Sequence, residues 1–344
     1  MLAYVLLPLL GIGLIAAILD NDDDDAAPPQ EPEVPEPPIP TTGTSGDDLF
    51  IGTGGDDLFR ADGGDDTLNG YGGADTLDGS AGNDIINAGG GDDLIDGRQG
   101  ADTLRGREDN DTITGGFGED MIYGDSGDDS LSGGAQGDTI FGGRGDDVLL
   151  GQLGDDFLEG GLGADTLQGG AGQDTLVGYR TPTNDTEIAG LSDEAADILD
   201  GGNNDDVIRA NDGDTVTGGA GADLIEALGF DQTGQDAVIV TDFDPAEDVL
   251  LLAESQGAPL TIEEGDDRLE IRVADNGSDT EVVFDGVVCA VLQNTDAAAL
   301  ADDTSWLANV EDAADVPETP AVPVVPTMPV VPVLPTVSTD PPTA

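Results

Sequence analysis

From Thr42 to Leu176 the chain repeats a nine-residue unit fifteen times without one insertion or deletion, and that period decides what it can fold into. In register the units run TGTSGDDLF, IGTGGDDLF, RADGGDDTL and onward to QGGAGQDTL. The seventh residue is Asp in all fifteen, and the ninth is Leu, Ile or Phe in all fifteen. The second is Gly in thirteen (Ala61 and Ala88 differ), and the fifth is Gly in thirteen (Asp109 and Gln136 differ). A unit with one reliable apolar residue cannot close a core alone, so neighbouring units must stack. One short strand and one turn per unit, with the ninth residue inward, makes a flattened coil of two units per turn, roughly seven coils in all.

The remaining six positions are mostly Gly and Asp. Gly makes up 53 of 344 residues, and Asp supplies 57 of the 74 acidic ones. Gly at the second and fifth positions allows backbone angles barred to residues with a Cβ. The invariant Asp brings a carboxylate into the same turn. Carbonyl and carboxylate oxygens without nitrogen or sulfur make a hard-cation site, and six or more such oxygens suit Ca²⁺ better than Mg²⁺. Without a cation, aspartates stacked at strand spacing repel one another along the whole rod. EF-hand loops are not the source of this chemistry, since no D-x-[DN]-x-[DN]-G with a distal Glu occurs.

The net charge of −65 excludes nucleic acid as a partner, because nine Arg and no Lys cannot release counterions from a phosphate backbone. With no His and no Lys, the chain cannot assemble a Ser-His-Asp triad, a Cys-His pair, an HExxH zinc helix or a Schiff-base lysine. The single Cys289 forms no internal disulfide.

The units GGFGEDMIY (115–123), GGRGDDVLL (142–150) and GGLGADTLQ (160–168) resemble the RTX (repeats-in-toxin) consensus GGxGxDxUx. The resemblance covers about half the chain. It implies an all-β fold: a calcium-dependent parallel β-roll, with each Ca²⁺ shared between a turn and the next on the same side. It also implies that the ligands are Asp48, Asp57, Asp66, Asp75, Asp84, Asp93, Asp102, Asp111, Asp120, Asp129, Asp138, Asp147, Asp156, Asp165 and Asp174, with backbone oxygens of adjoining glycines. Asp206 and Asp223 fit the same pattern. Asp197 and Asp214 fall in irregular units, LSDEAADIL lacking both glycines, and are left unassigned.

The flanks differ in kind. Residues 1–19 are uncharged and mostly apolar, long enough to serve as a membrane anchor or signal. Residues 20–41 are an acidic, Pro-rich linker. The roll is expected over 42–225, with a 14-residue insertion at 177–190. Residues 226–312 carry alternating apolar stretches (AVIVTDF, DVLLL, RLEIRVA, EVVFDG, VVCAVLQ) that read as a small antiparallel β cap domain, with a short helix near 296–309. They resemble the domain that follows RTX arrays in type I secreted proteins. Residues 313–344 form a disordered tail with Pro at every third position from Pro317 to Pro335.

These features predict a secreted or cell-surface bacterial calcium-binding protein, structural or adhesive and not catalytic, that folds on export when Ca²⁺ binds. An extracellular polysaccharide or protein is the expected partner class. The rival reading is a polysaccharide-acting carboxylate enzyme that carries an RTX module.

Overall fold

The computed structural model describes residues 40–179, 195–211, 213–228, 237–253, 269–274, 276–284, 287–297 and 300. The N-terminal segment, most of the linker, the loop at 180–194, the bulk of the expected 296–309 helix and the Pro-rich tail lie outside them. At that helix's start, the Leu300 amide donates to the Asp296 carbonyl at 3.2 Å, a single helical turn.

Among the described residues the chain forms strands throughout, from β1 (Pro40–Thr42) to β25 (Val287–Leu292). Alternate strands go to opposite sheets. β1 and β3 (Leu58–Arg60) begin a fourteen-stranded sheet, and β2 (Leu49–Ile51) and β4 (Thr67–Asn69) begin an eleven-stranded one. Through the repeats, neighbours in each sheet are parallel and two units apart, as in Ile113↔Leu131↔Leu149. Each complete strand runs from the eighth residue of one unit to the fourth of the next, as in β10 (Met121–Ser126). Strand alternation puts the ninth and second residues on the same inner face.

The ninth residues stack into a single aliphatic column from Leu68 through Ile140 to Ile225, almost wholly shielded from solvent. Phe50 and Phe59 close its N-terminal end as a parallel stack with centroids 4.3 Å apart. A longer apolar side chain suits the end of a rod, where no further coil covers the column.

Two sequence expectations are corrected by the pairing. The insertion lies inside a turn and not between units: Val177 and Gly178 still occupy β16 (Thr175–Tyr179), and Val177 pairs with Arg209. Register is then recovered as Leu167↔Leu199. The parallel pairing also continues beyond Ile225. β21 (Val238–Val240) extends the first sheet beside β19 (Thr215–Ala220), and β22 (Val249–Ala253) extends the second beside β20 (Leu224–Leu228). The stretches AVIVTDF and DVLLL, read as antiparallel, are therefore a further coil. Their apolar alternation is the same in either direction of pairing, and only the partner decides it.

Antiparallel structure appears after this coil, where β23 (Leu269–Val273), β24 (Thr280–Phe284) and β25 are joined in series. β25 attaches them to the first sheet through a parallel pairing with β21. This covers the edge of the first sheet, which would otherwise end in unpaired amides and carbonyls.

Candidate metal centre

The seventh-position aspartates form two continuous ladders, one along each edge of the roll. In each, the backbone amide of one Asp donates to Oδ1 of the Asp one coil further on. The first ladder runs through Asp48, Asp66, Asp84, Asp102, Asp120, Asp138, Asp156, Asp174, Asp206, Asp223 and Asp248. The second runs through Asp57, Asp75, Asp93, Asp111, Asp129, Asp147, Asp165, Asp197 and Asp214. Donor–acceptor distances in the interior lie near 2.8 Å, for example 2.8 Å from Asp111 to Asp129. An exposed turn alone would not require Asp. An amide buried between coils does require an acceptor.

All the aspartates named from the sequence thus fall into this arrangement, and the two left unassigned join it. Asp197 uses Gly178, nineteen residues earlier, where regular units use a glycine five residues earlier. Asp214 sits in a turn one residue shorter, 17 residues from Asp197. Asp248 was missed altogether. Its D-V-L triplet keeps the unit's ending, but TDFDPAED has lost both glycines, the signal that located the others. Asp242, on the same coil, accepts from the amides of Gly218 and Gly219, both at 2.9 Å, and so closes the last coil.

The second carboxylate oxygen behaves differently. In Asp66, Asp75, Asp84, Asp93, Asp102, Asp111, Asp120, Asp129, Asp138, Asp147, Asp156, Asp174, Asp206 and Asp223, Oδ2 is buried and accepts no hydrogen bond. Except in the units of Asp66 and Asp93, whose second residues are Ala61 and Ala88, it faces the second-position glycine of its own unit. A Cβ on Gly142 would lie 2.5 Å from Asp147 Oδ2 and 2.5 Å from the Gly160 carbonyl. A Cβ on Gly97 would lie 2.5 Å from Asp102 Oδ2 and 2.8 Å from the Gly115 carbonyl. The second glycine is therefore small to leave a cradle of carboxylate and carbonyl oxygens, and not to adopt a special φ. From Arg60 to Leu176 the left-handed residues are the third and fifth of each unit, such as Gly116 and Gly118 at φ 114° and 132°. The two non-glycine fifth residues, Asp109 and Gln136, keep the same hand at 72° and 78°.

Ionised carboxylates are costly here. Burial, followed by neighbouring aspartates, pushes the carboxyls well above their ordinary range. Asp84 and Asp129 rise to about 6, Asp102 and Asp147 to about 7, and Asp111, Asp138 and Asp206 to about 8. A hydrogen-bonding amide lowers each of them but does not overcome desolvation. Among the described residues no three carboxylates converge on one point. A metal held here would take one carboxylate per turn and complete its shell from backbone oxygens, a hard-cation donor set. Buried orphan oxygens and a cradle emptied of Cβ atoms both fit such an ion.

The sixth position adds a second ladder that the sequence did not announce. Asp47, Asp56, Asp65, Asn83, Asp92, Asn110, Asp128, Asp146, Asp155 and Asp205 each accept, through Oδ1, the amide of the sixth residue one coil further on. These side chains are exposed and run opposite in sense to the buried ladders. The frequent Asp-Asp pair therefore ties each coil both to the next and to the previous one.

The AlgE6R3 subunit of the Azotobacter vinelandii mannuronan C5-epimerase, solved in solution, is similar at 21% identity, covering 71% of this chain and 94% of that chain with a TM-score of 0.18. No curated protein matches the chain. The model of the RTX calcium-binding nonapeptide repeat matches residues 42–77, 69–104, 96–131, 123–158, 132–167, 150–180 and 192–225. Those segments span just over half of the sequence and contain every ladder aspartate but Asp248, so the chain belongs to the RTX calcium-binding nonapeptide repeat family.

Proposed function

We propose that the interior aspartates of both ladders hold Ca²⁺ between successive coils, each offering Oδ2 beside a second-position carbonyl. The observation that carries this reading is the row of buried carboxylate oxygens without a donor, repeated on both edges. Asp165 stands in the same register, its Oδ1 accepting the Asp147 amide and its own amide donating to Asp197 Oδ1. Calcium, when bound, supplies the positive charge that lets these carboxylates stay ionised at neutral pH. The residues do the rest: Oδ1 fixes each carboxylate against the preceding coil's amide, and the second glycine leaves room beside Oδ2.

On this reading the protein is a secreted or surface-exposed bacterial protein with a structural or adhesive role and no catalysis. Its roll stays open where calcium is scarce and closes where calcium is plentiful. Extracellular modules bind Ca²⁺ at about 10⁻⁴–10⁻³ M. One 10⁻⁴ M site contributes about 2.7 kcal/mol at roughly 10 mM calcium, and a ladder of them outweighs a core of one aliphatic residue per nine.

The test is far-UV circular dichroism of the full chain at pH 7.5 in EGTA and then in rising calcium. Little strand signal in EGTA, with cooperative recovery in the millimolar range, is the expected result. Full signal in EGTA would overturn the proposal.

A further inference from the structure

Not every ladder carboxylate is open. At Asp48 and Asp57, Oδ2 accepts the amide of Thr44 and Thr53 respectively, each at 2.6 Å. At the other ends, Asp214 Oδ2 accepts the Asn211 amide and Asp248 Oδ2 accepts the Asp244 amide, each at 2.7 Å. These four are the first and last aspartates of the two ladders. In each, the donor is the third residue of the Asp's own unit.

Backbone hand separates the two kinds of turn. Where the third residue has positive φ, Oδ2 has no donor: Tyr71 before Asp75, Arg98 before Asp102, Gly116 before Asp120, Gln152 before Asp156. Thr44, Thr53, Asn211 and Asp244 are not among the residues of positive φ, and their amides close on the carboxylate. The chemistry of the residues agrees. β-Branched Thr strongly disfavours the left-handed region. Asp244 precedes Pro245, which holds it extended.

We infer that the third residue is a conformational gate. A left-handed residue there turns its amide away and leaves a cation site. A right-handed or extended one spends its amide on Oδ2 and makes a coil end that needs no metal. Asp48, Asp57, Asp214 and Asp248 are on this account caps and not calcium ligands, although the first two carry the full sequence motif. The inference rests on the calcium reading above and narrows it to the interior of each ladder.

The experiment counts calcium per full-length chain by equilibrium dialysis with atomic absorption, at saturating calcium. Thr53→Gly and Thr44→Gly, one on each edge, should each raise the count by about one, because glycine frees the gate. Gly116→Thr should lower it by one or two while the strand signal persists. An unchanged count in both Thr→Gly variants, with the unsubstituted chain binding calcium, would overturn the gate and leave the calcium reading intact. An unsubstituted chain that binds none would overturn the calcium reading itself. Should Gly116→Thr fail to fold, the two Thr→Gly variants still decide the matter, since they relieve a constraint and do not impose one.

Discussion

Replacing Asp129 by Asn should move stability in opposite directions with and without calcium. Asp129 is 2% exposed, its Oδ1 accepts the Asp111 amide at 2.8 Å, and its Oδ2 has no donor. Asn keeps the Oδ1 acceptor, so the ladder is not cut. It places an amide nitrogen where Oδ2 stood, and that nitrogen can donate toward the Gly142 carbonyl beside Gly124. Burial pushes the Asp129 carboxyl from 3.8 to about 6. At about 1.4 kcal/mol per pH unit that is about 3 kcal/mol of ionisation cost at neutral pH. Screening along the edge of the rod brings it to about 2 kcal/mol. In EGTA the variant should therefore be more stable by about 2 kcal/mol. In 10 mM calcium it loses one or two ions of about 2.7 kcal/mol each, a net deficit of about 1 to 3 kcal/mol. Urea midpoints from far-UV circular dichroism measure both values, with an osmolyte added equally to all samples so that the folded state is populated in EGTA. A shift of the same sign in both conditions would refute the reasoning, because the carboxylate would then serve only as a hydrogen-bond acceptor.

The remaining expectations are simpler. Because the buried aspartates have folded pKa values above the unfolded 3.8, the metal-free roll binds more protons than the open chain, and its stability is fully present only near or below pH 4 and is lost as pH rises through about 6 to 8. Acidifying an EGTA sample from pH 7.5 to 5 should restore strand signal, and no recovery would show that repulsion between carboxylates is not what keeps the chain open. Ile140→Ala, at a wholly buried ninth position, should cost about 2–5 kcal/mol with calcium present. A loss under about 1 kcal/mol in thermal unfolding would mean that the aliphatic column contributes little beside the ions.

The legibility of the chain follows its geometry. The period of nine fixed the parallel roll, because a strict repeat can bury its ninth residue only against copies of itself, and the same period placed Asp48 through Asp174 on two edges. It failed where the period failed. Asp197 was obscured because an insertion inside a turn separates it from Gly178, and Asp248 because its coil has no glycines. The role of the second glycine was misread for a related reason: sequence shows that a side chain is missing but not whether φ or space forbids it.

What the sequence alone determined is the class of chemistry: oxygen donors, charge −65, no His and no Lys, and a repeat that must stack. Which oxygen of each carboxylate is already engaged follows only from how the coils pack. Oδ1 and Oδ2 are identical in a sequence, and they become different when one meets an amide from the coil before it and the other meets the bare Cα of a glycine. Two turns with the same Asp thus differ as cation sites because the hand of a residue four positions earlier sends its amide toward the carboxylate or away from it.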